Sequence, residues 1–171
     1  MNHPLQSFKY CPSCGNKQFV IHNDKAKKCL QCGFVYYFNS SAAVAAFIVN
    51  QENELLVCRR GKEPALGTLD LPGGFVDLHE TAEQAIAREI KEELNLAVDS
   101  VKYQFSLPNI YPYSGFNVHT LDLFFECKVH SFEDLKASDD VSEAFFMSKN
   151  KINTADFGLD SVRKAIEIYL N

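Results

Sequence analysis

From Ala42 the chain runs AAVAAFIV (42–49), eight residues without a polar side chain. Such continuity suits a strand buried on both faces. QENE (51–54) reads as a turn and LLVCRR (55–60) as a return strand. GKEPALGTLDLPGG (61–74) reads as a loop, broken by Pro64, Gly67 and Pro72. The period then changes. Ile86, Ile90 and Leu94 recur every four residues and mark the apolar stripe of a helix. Thr81 and Gln84 form a capping box that starts it near Ala82, and Asn95 tolerates the left-handed conformation that stops it. LAVDSVKYQFSL (96–107) and VHTLDLFFECKV (118–129) read as strands around an aromatic-rich loop, NIYPYSGFN (109–117). VSEAFFMS (141–148) reads as a last strand and DSVRKAIEIYL (160–170) as an amphipathic helix. Strands flanking two helices predict an α/β sandwich.

Residues 1–38 have a different texture, short and rich in Cys, Lys and turn residues. CPSCG (11–15) and CLQCG (29–33) place Cys11, Cys14, Cys29 and Cys32 in two C-x2-C pairs separated by 14 residues. Two tight turns at this spacing can offer four thiolates to one tetrahedral Zn2+. Four Cys leave no open coordination position, so the expected role is structural. Disulfides or a redox C-x-x-C are the alternative use of such cysteines. Cys58 and Cys127 lie in apolar runs and read as small buried hydrophobes. The histidines show no ligand spacing.

Charge follows the same division. Residues 1–40 hold five Lys and one acid, +4; the remainder holds 12 bases and 21 acids, −9. An acidic body argues against a broad nucleic-acid surface there. A phosphorylated substrate would need cations to offset its charge. No apolar run reaches the ~20 residues of a membrane span. The N-terminus lacks the layout of a secretory signal, so a cytoplasmic protein is expected.

Glu89, Glu92 and Glu93 share one helix face, although like charges at that spacing cost about 0.2–0.5 kcal/mol per pair. Alone they would read as a solvated acidic face. They follow Gly73 and Gly74 by a short loop, with Glu80 and Arg88 at fixed offsets. The segment from Gly74 through Glu80, Arg88–Glu89–Ile90 and Glu92–Glu93 to Leu96 resembles the Nudix box, G-x5-E-x7-R-E-U-x-E-E-x-G-U. Asn95 stands where that box has its second Gly. The resemblance implies a Nudix-type α/β/α sandwich with a mixed sheet over 39–171, and the cysteine spacing places a small zinc ribbon over 1–38 ahead of it. It implies Mg2+ or Mn2+ held by Glu89, Glu92, Glu93 and the Gly73 carbonyl, with Arg88 orienting the glutamates.

The implied activity is metal-dependent hydrolysis of a nucleoside diphosphate linked to another moiety, such as ADP-ribose, NADH or a nucleotide sugar. Glu93 is the first expectation for the general base. Glu143 resembles a further family acid, serving as ligand or base, or is a surface charge at a strand end. A ribbon ahead of the box is similar to the NADH pyrophosphatases. Their S-Q-P-W-P-F-P-x-S motif is altered here to SLPNIYPYS (106–114). Tyr111, Tyr113 and Phe116 are expected either to stack on a base or to pack as an aromatic corner; Arg60, beside Arg59, either meets substrate or forms a surface pair. A homodimer is compatible with the ribbon resemblance. The other reading is a ligand-sensing regulatory Nudix domain whose basic ribbon binds nucleic acid or a protein.

Overall fold

The computed structural model describes residues 3–171. The chain forms two compact units, one ending at Ser40 and one spanning Ser41–Asn171. In the first, β1 (Phe19–Asn23), β2 (Ala26–Cys29) and β3 (Val35–Tyr37) make an antiparallel sheet in sequence order. Its apolar cluster is small: Cys11, Phe19 and Cys29, with Phe34 packed on them.

The second unit contains β4 (Ser41–Phe47), β5 (Leu55–Arg60), β6 (Leu69–Asp70), β7 (Gly73–Phe75), α1 (Ala82–Leu94), β8 (Val98–Tyr113), β9 (Phe116–Val129), β10 (Val141–Met147) and α2 (Asp160–Leu170). One sheet has the order β7-β4-β9-β8 and the other β10-β5-β6. The β4–β9 pair is parallel and its neighbours are antiparallel, so the sheet is mixed.

Alternation along the strands builds two cores. Val44, Ala46, Leu56, Cys58, Phe125 and Cys127 face Ala85, Ile86, Ile90 and Leu94 of α1. Ala45, Phe47, Leu55, Val57 and Phe124 face Val162, Ala165 and Ile166 of α2. The strands read as unbroken apolar runs because both faces are covered. Each fully buried Leu, Ile or Phe contributes about 1.5–3 kcal/mol. The result is the α/β/α sandwich expected from the sequence. Cys58 and Cys127 are buried within it, and burial pushes their thiols up, Cys127 to about 12.

Two expectations are corrected. The segment 109–117 is not a loop: β8 runs to Tyr113 and β9 starts at Phe116, making one long hairpin. Ser114 and Gly115, both at positive φ (51° and 73°), form its two-residue turn. Pro108 and Pro112 are tolerated because β8 is an edge strand whose outer side needs no donor. The second correction lies within 61–74, which holds β6 and the first residues of β7. Among the described residues no helix is long and apolar enough to cross a membrane.

Candidate active site

The capping box forms as expected: Thr81 accepts the Gln84 N–H at 3.2 Å, and the Gln84 side chain accepts the Thr81 N–H at 2.9 Å. At the other end Asn95 adopts the left-handed conformation, φ 57° and ψ 23°. Its side chain also donates to Asp134 O at 3.2 Å. Lys136 N and Ser138 N bond the carbonyls of Leu94 and Glu93. The loop ahead of β10 therefore satisfies the last carbonyls of α1, which have no partner within the helix.

β7 lies against the polar face of α1. Gly73 pairs with Ala45 of β4 at φ 152°, and a Cβ there would overlap the Val44 carbonyl. A Cβ on Gly74 would overlap the Glu89 carboxylate. The glycine pair thus lets backbone and carboxylates meet directly. Gly73 N–H donates to Glu93 Oε2 at 2.9 Å. Glu93 is only 6% exposed, and burial pushes its carboxyl up to about 8. The Gly73 N–H opposes that rise, while Glu89, Asp70 and Asp140 add to it. Burial also raises Glu89, against the pull of Arg88.

Arg88 ties the acids together. Its Nε and Nη2 grip both oxygens of Glu80 at 2.9 Å. Nη1 donates to Glu89 at 2.9 Å and to Glu92 at 3.0 Å, and Nη2 also reaches Phe75 O at 3.0 Å. These bonds hold Glu80 below the usual carboxylate range. The rigid guanidinium fork suits this task in a way a Lys ammonium does not.

Glu89, Glu92 and Glu93 open onto a cavity of about 340 Å³ whose lining also includes Asp139 and Asp140. The donor set is all carboxylate oxygen, with one member buried beside like charges. Such a set fits a hard divalent cation, which would supply the missing positive charge.

The remaining expected residues divide. Arg60 lines the cavity, bonded to Asp70 at 2.5 Å, Pro64 O at 2.7 Å and the Tyr111 hydroxyl at 3.2 Å. Tyr111 lines it too, edge-on to Phe75 with centroids 5.6 Å apart. Arg59 points to the opposite side of β5, where its Nε meets Glu143 at 3.0 Å on an exposed surface. Glu143, Tyr113 and Phe116 are not among the residues lining the cavity. Tyr113 and Phe116 pair across the hairpin turn.

Sequence reasoning missed Asp70, Asn109, Thr120, Asp122, Asp139 and Asp140, all of which line the cavity. A signal existed for two of them. Thr120 and Asp122 share a strand face with Phe124, so they put polar groups where alternation asks for apolar ones.

In the first unit Cys11 and Cys32 Sγ are 3.8 Å apart and Cys14 and Cys29 Sγ 3.6 Å, and all four sulfurs lie within 4.8 Å of one another. Four sulfurs about 2.3 Å from a tetrahedral ion would stand about 3.8 Å apart. Disulfide sulfurs would be about 2.05 Å apart. Gly15 and Gly33, at φ 72° and 78°, turn each knuckle and donate to Cys11 O and Cys29 O. The Cys32 N–H outweighs burial and lowers the Cys29 thiol to about 7.

A carboxylate helix closed on a glycine pair, within an α/β/α frame, defines an acid-walled cavity of about 340 Å³. A family model for the NUDIX domain matches residues 39–166, and the chain belongs to that family. It is similar to the ADP-ribose pyrophosphatase of Methanocaldococcus jannaschii, 35% identical over 130 residues, 75% of this chain and 73% of that protein. It is also similar to the NAD-capped RNA hydrolase NudC of Vibrio atlanticus, 31% identical over 112 residues, 66% of this chain and 41% of that protein. The chain thus spans less than half the length of that hydrolase. A Nudix hydrolase structure from Nitrosomonas europaea shares the fold, with TM-score 0.72 and 23% identity over 95% of this chain and 90% of that one.

Proposed function

We propose that this chain is a divalent-cation-dependent pyrophosphohydrolase that cleaves a nucleoside diphosphate linked to a second moiety. One observation carries the proposal. Glu93 is buried, hung from the Gly73 N–H, in a cavity it shares with Glu89 and Glu92. Glu89, Glu92, Glu93 and the Gly73 carbonyl are assigned to hold Mg2+ or Mn2+. The cation, when bound, offsets phosphate charge and acidifies a coordinated water. Arg88 keeps the glutamates in place, and Glu93 is assigned to accept the proton that water loses. Arg60 and Tyr111 are assigned to substrate. Glu143, exposed and paired with Arg59, carries no role in this proposal.

The cysteine cluster is assigned to a structural Zn2+ in a ribbon over 1–38, ahead of a hydrolase domain over 39–171. A cytoplasmic location and a nucleotide-derived small substrate complete the proposal. The relatives' names supply the substrate classes to try first: ADP-ribose and NAD-linked nucleotides, including NAD-capped RNA. The test is a hydrolysis screen over ADP-ribose, NADH, NAD+, NAD-capped RNA and nucleotide sugars with Mg2+ or Mn2+. Wild type is expected to cleave at least one in a metal-dependent way, and Glu93→Gln to lose about a hundredfold or more of that rate. No turnover from folded, metal-loaded protein overturns it and favours a ligand-sensing domain.

A further inference from the structure

The sheet face that packs on α2 turns polar beside the first turn of that helix. Phe124 of β9 lies in the α2 core, and Asp122 and Thr120 follow at two-residue steps on the same face. Asn109 of β8 stands opposite Thr120. Asn109, Thr120 and Asp122 are 8%, 4% and 7% exposed, and all three line the cavity.

Buried polar side chains are nearly always hydrogen-bonded. Asp122 uses only one carboxylate oxygen, Oδ2, to accept the Ser161 hydroxyl at 2.5 Å. Its Oδ1 and the Thr120 Oγ1 have no hydrogen-bond partner among the described residues. Two buried polar atoms without a partner thus belong to residues of the cavity wall, which also carries Tyr111. The aromatic ring and the polar edge together match a flat heterocycle with hydrogen-bonding groups on its rim.

We propose that Asn109, Thr120 and Asp122 form a subsite that reads the –NH2 group of a planar nucleotide ring placed beside Tyr111. The proposal deepens the hydrolase reading and rests on it. A carboxylate oxygen accepts hydrogen bonds, so Asp122 Oδ1 suits a donor. The Thr120 hydroxyl and the Asn109 amide can each give or take a hydrogen bond and suit the ring atoms next to that amine. A ring with oxygen in place of the amine sets two acceptors against each other. Adenine and the carboxamide of nicotinamide both carry such an –NH2. Hypoxanthine and nicotinate carry oxygen there.

Calorimetric titration of the full chain with two matched pairs tests this: AMP against IMP, and nicotinamide mononucleotide against nicotinate mononucleotide. The amine-bearing member of one pair is expected to bind at least about tenfold tighter, and the pair that discriminates identifies the ring. Asp122→Asn is expected to reduce that preference to within about twofold while the circular dichroism spectrum stays native. If Asp122→Asn does not fold, Thr120→Val decides, with a reduced preference expected. Equal affinities within both pairs, or full discrimination surviving in the folded variant, overturn the subsite. Turnover in the hydrolysis screen with equal binding within both pairs removes the subsite and leaves the hydrolase reading standing. Neither turnover nor nucleotide binding removes both.

Discussion

Glu93 is the residue at which sequence, burial and chemistry meet. Its spacing from Glu89 and Arg88 was visible in the chain; its burial was not, because that depends on two glycines twenty residues earlier coming to rest against α1. The raised carboxyl has a consequence for stability. A group with folded pKa near 8 and an ordinary value of 4.5 binds its proton more tightly in the fold. The unfolded chain ionises first, so the stability of metal-stripped protein falls as pH rises from about 5 to about 8. Thermal melts across that range should show the decline, and Glu93→Gln should flatten it. A slope unchanged in the variant would show that another group sets it.

At the level of elements, α1 was legible to the residue because every signal agreed: capping box, four-residue stripe and αL-tolerant stop. The β8–β9 hairpin was legible only in part. Its two prolines mimic loop punctuation, and only the sheet order reveals that they sit on an edge where no donor is required. The Ser114–Gly115 turn fixes the register that carries Asn109 and Tyr111 into the cavity. Gly115→Val, which forces a β-branched residue to φ 73°, is expected to cost about 1–2 kcal/mol in chemical denaturation. A weaker KM should accompany it if the register loosens. Unchanged stability would mean that the turn rearranges without cost.

For the whole molecule, the two units rest on different physics. The Ser41–Asn171 unit has two apolar cores, whereas the first unit has one cluster of a few side chains. A unit so poor in apolar burial would lean on the Zn2+ proposed for its four cysteines. Chelation is expected to release Cys11, Cys14, Cys29 and Cys32 to a thiol reagent at pH 8. Cys58 and Cys127, buried and held protonated, should stay silent until denaturant is added. Reaction of all six at once would join the two units into a single cooperative block.

The start of α2 has a further consequence. Leu159 and Val162 line the cavity, and Ser161 bonds its floor, so the first turn of this helix is also the cavity's back wall. Depth is therefore measured out by helix length. Beginning α2 one turn earlier or later would move that wall by about 5.4 Å, roughly the width of a six-membered ring. Where this helix begins therefore sets how far the cavity extends, with every carboxylate of α1 left in place.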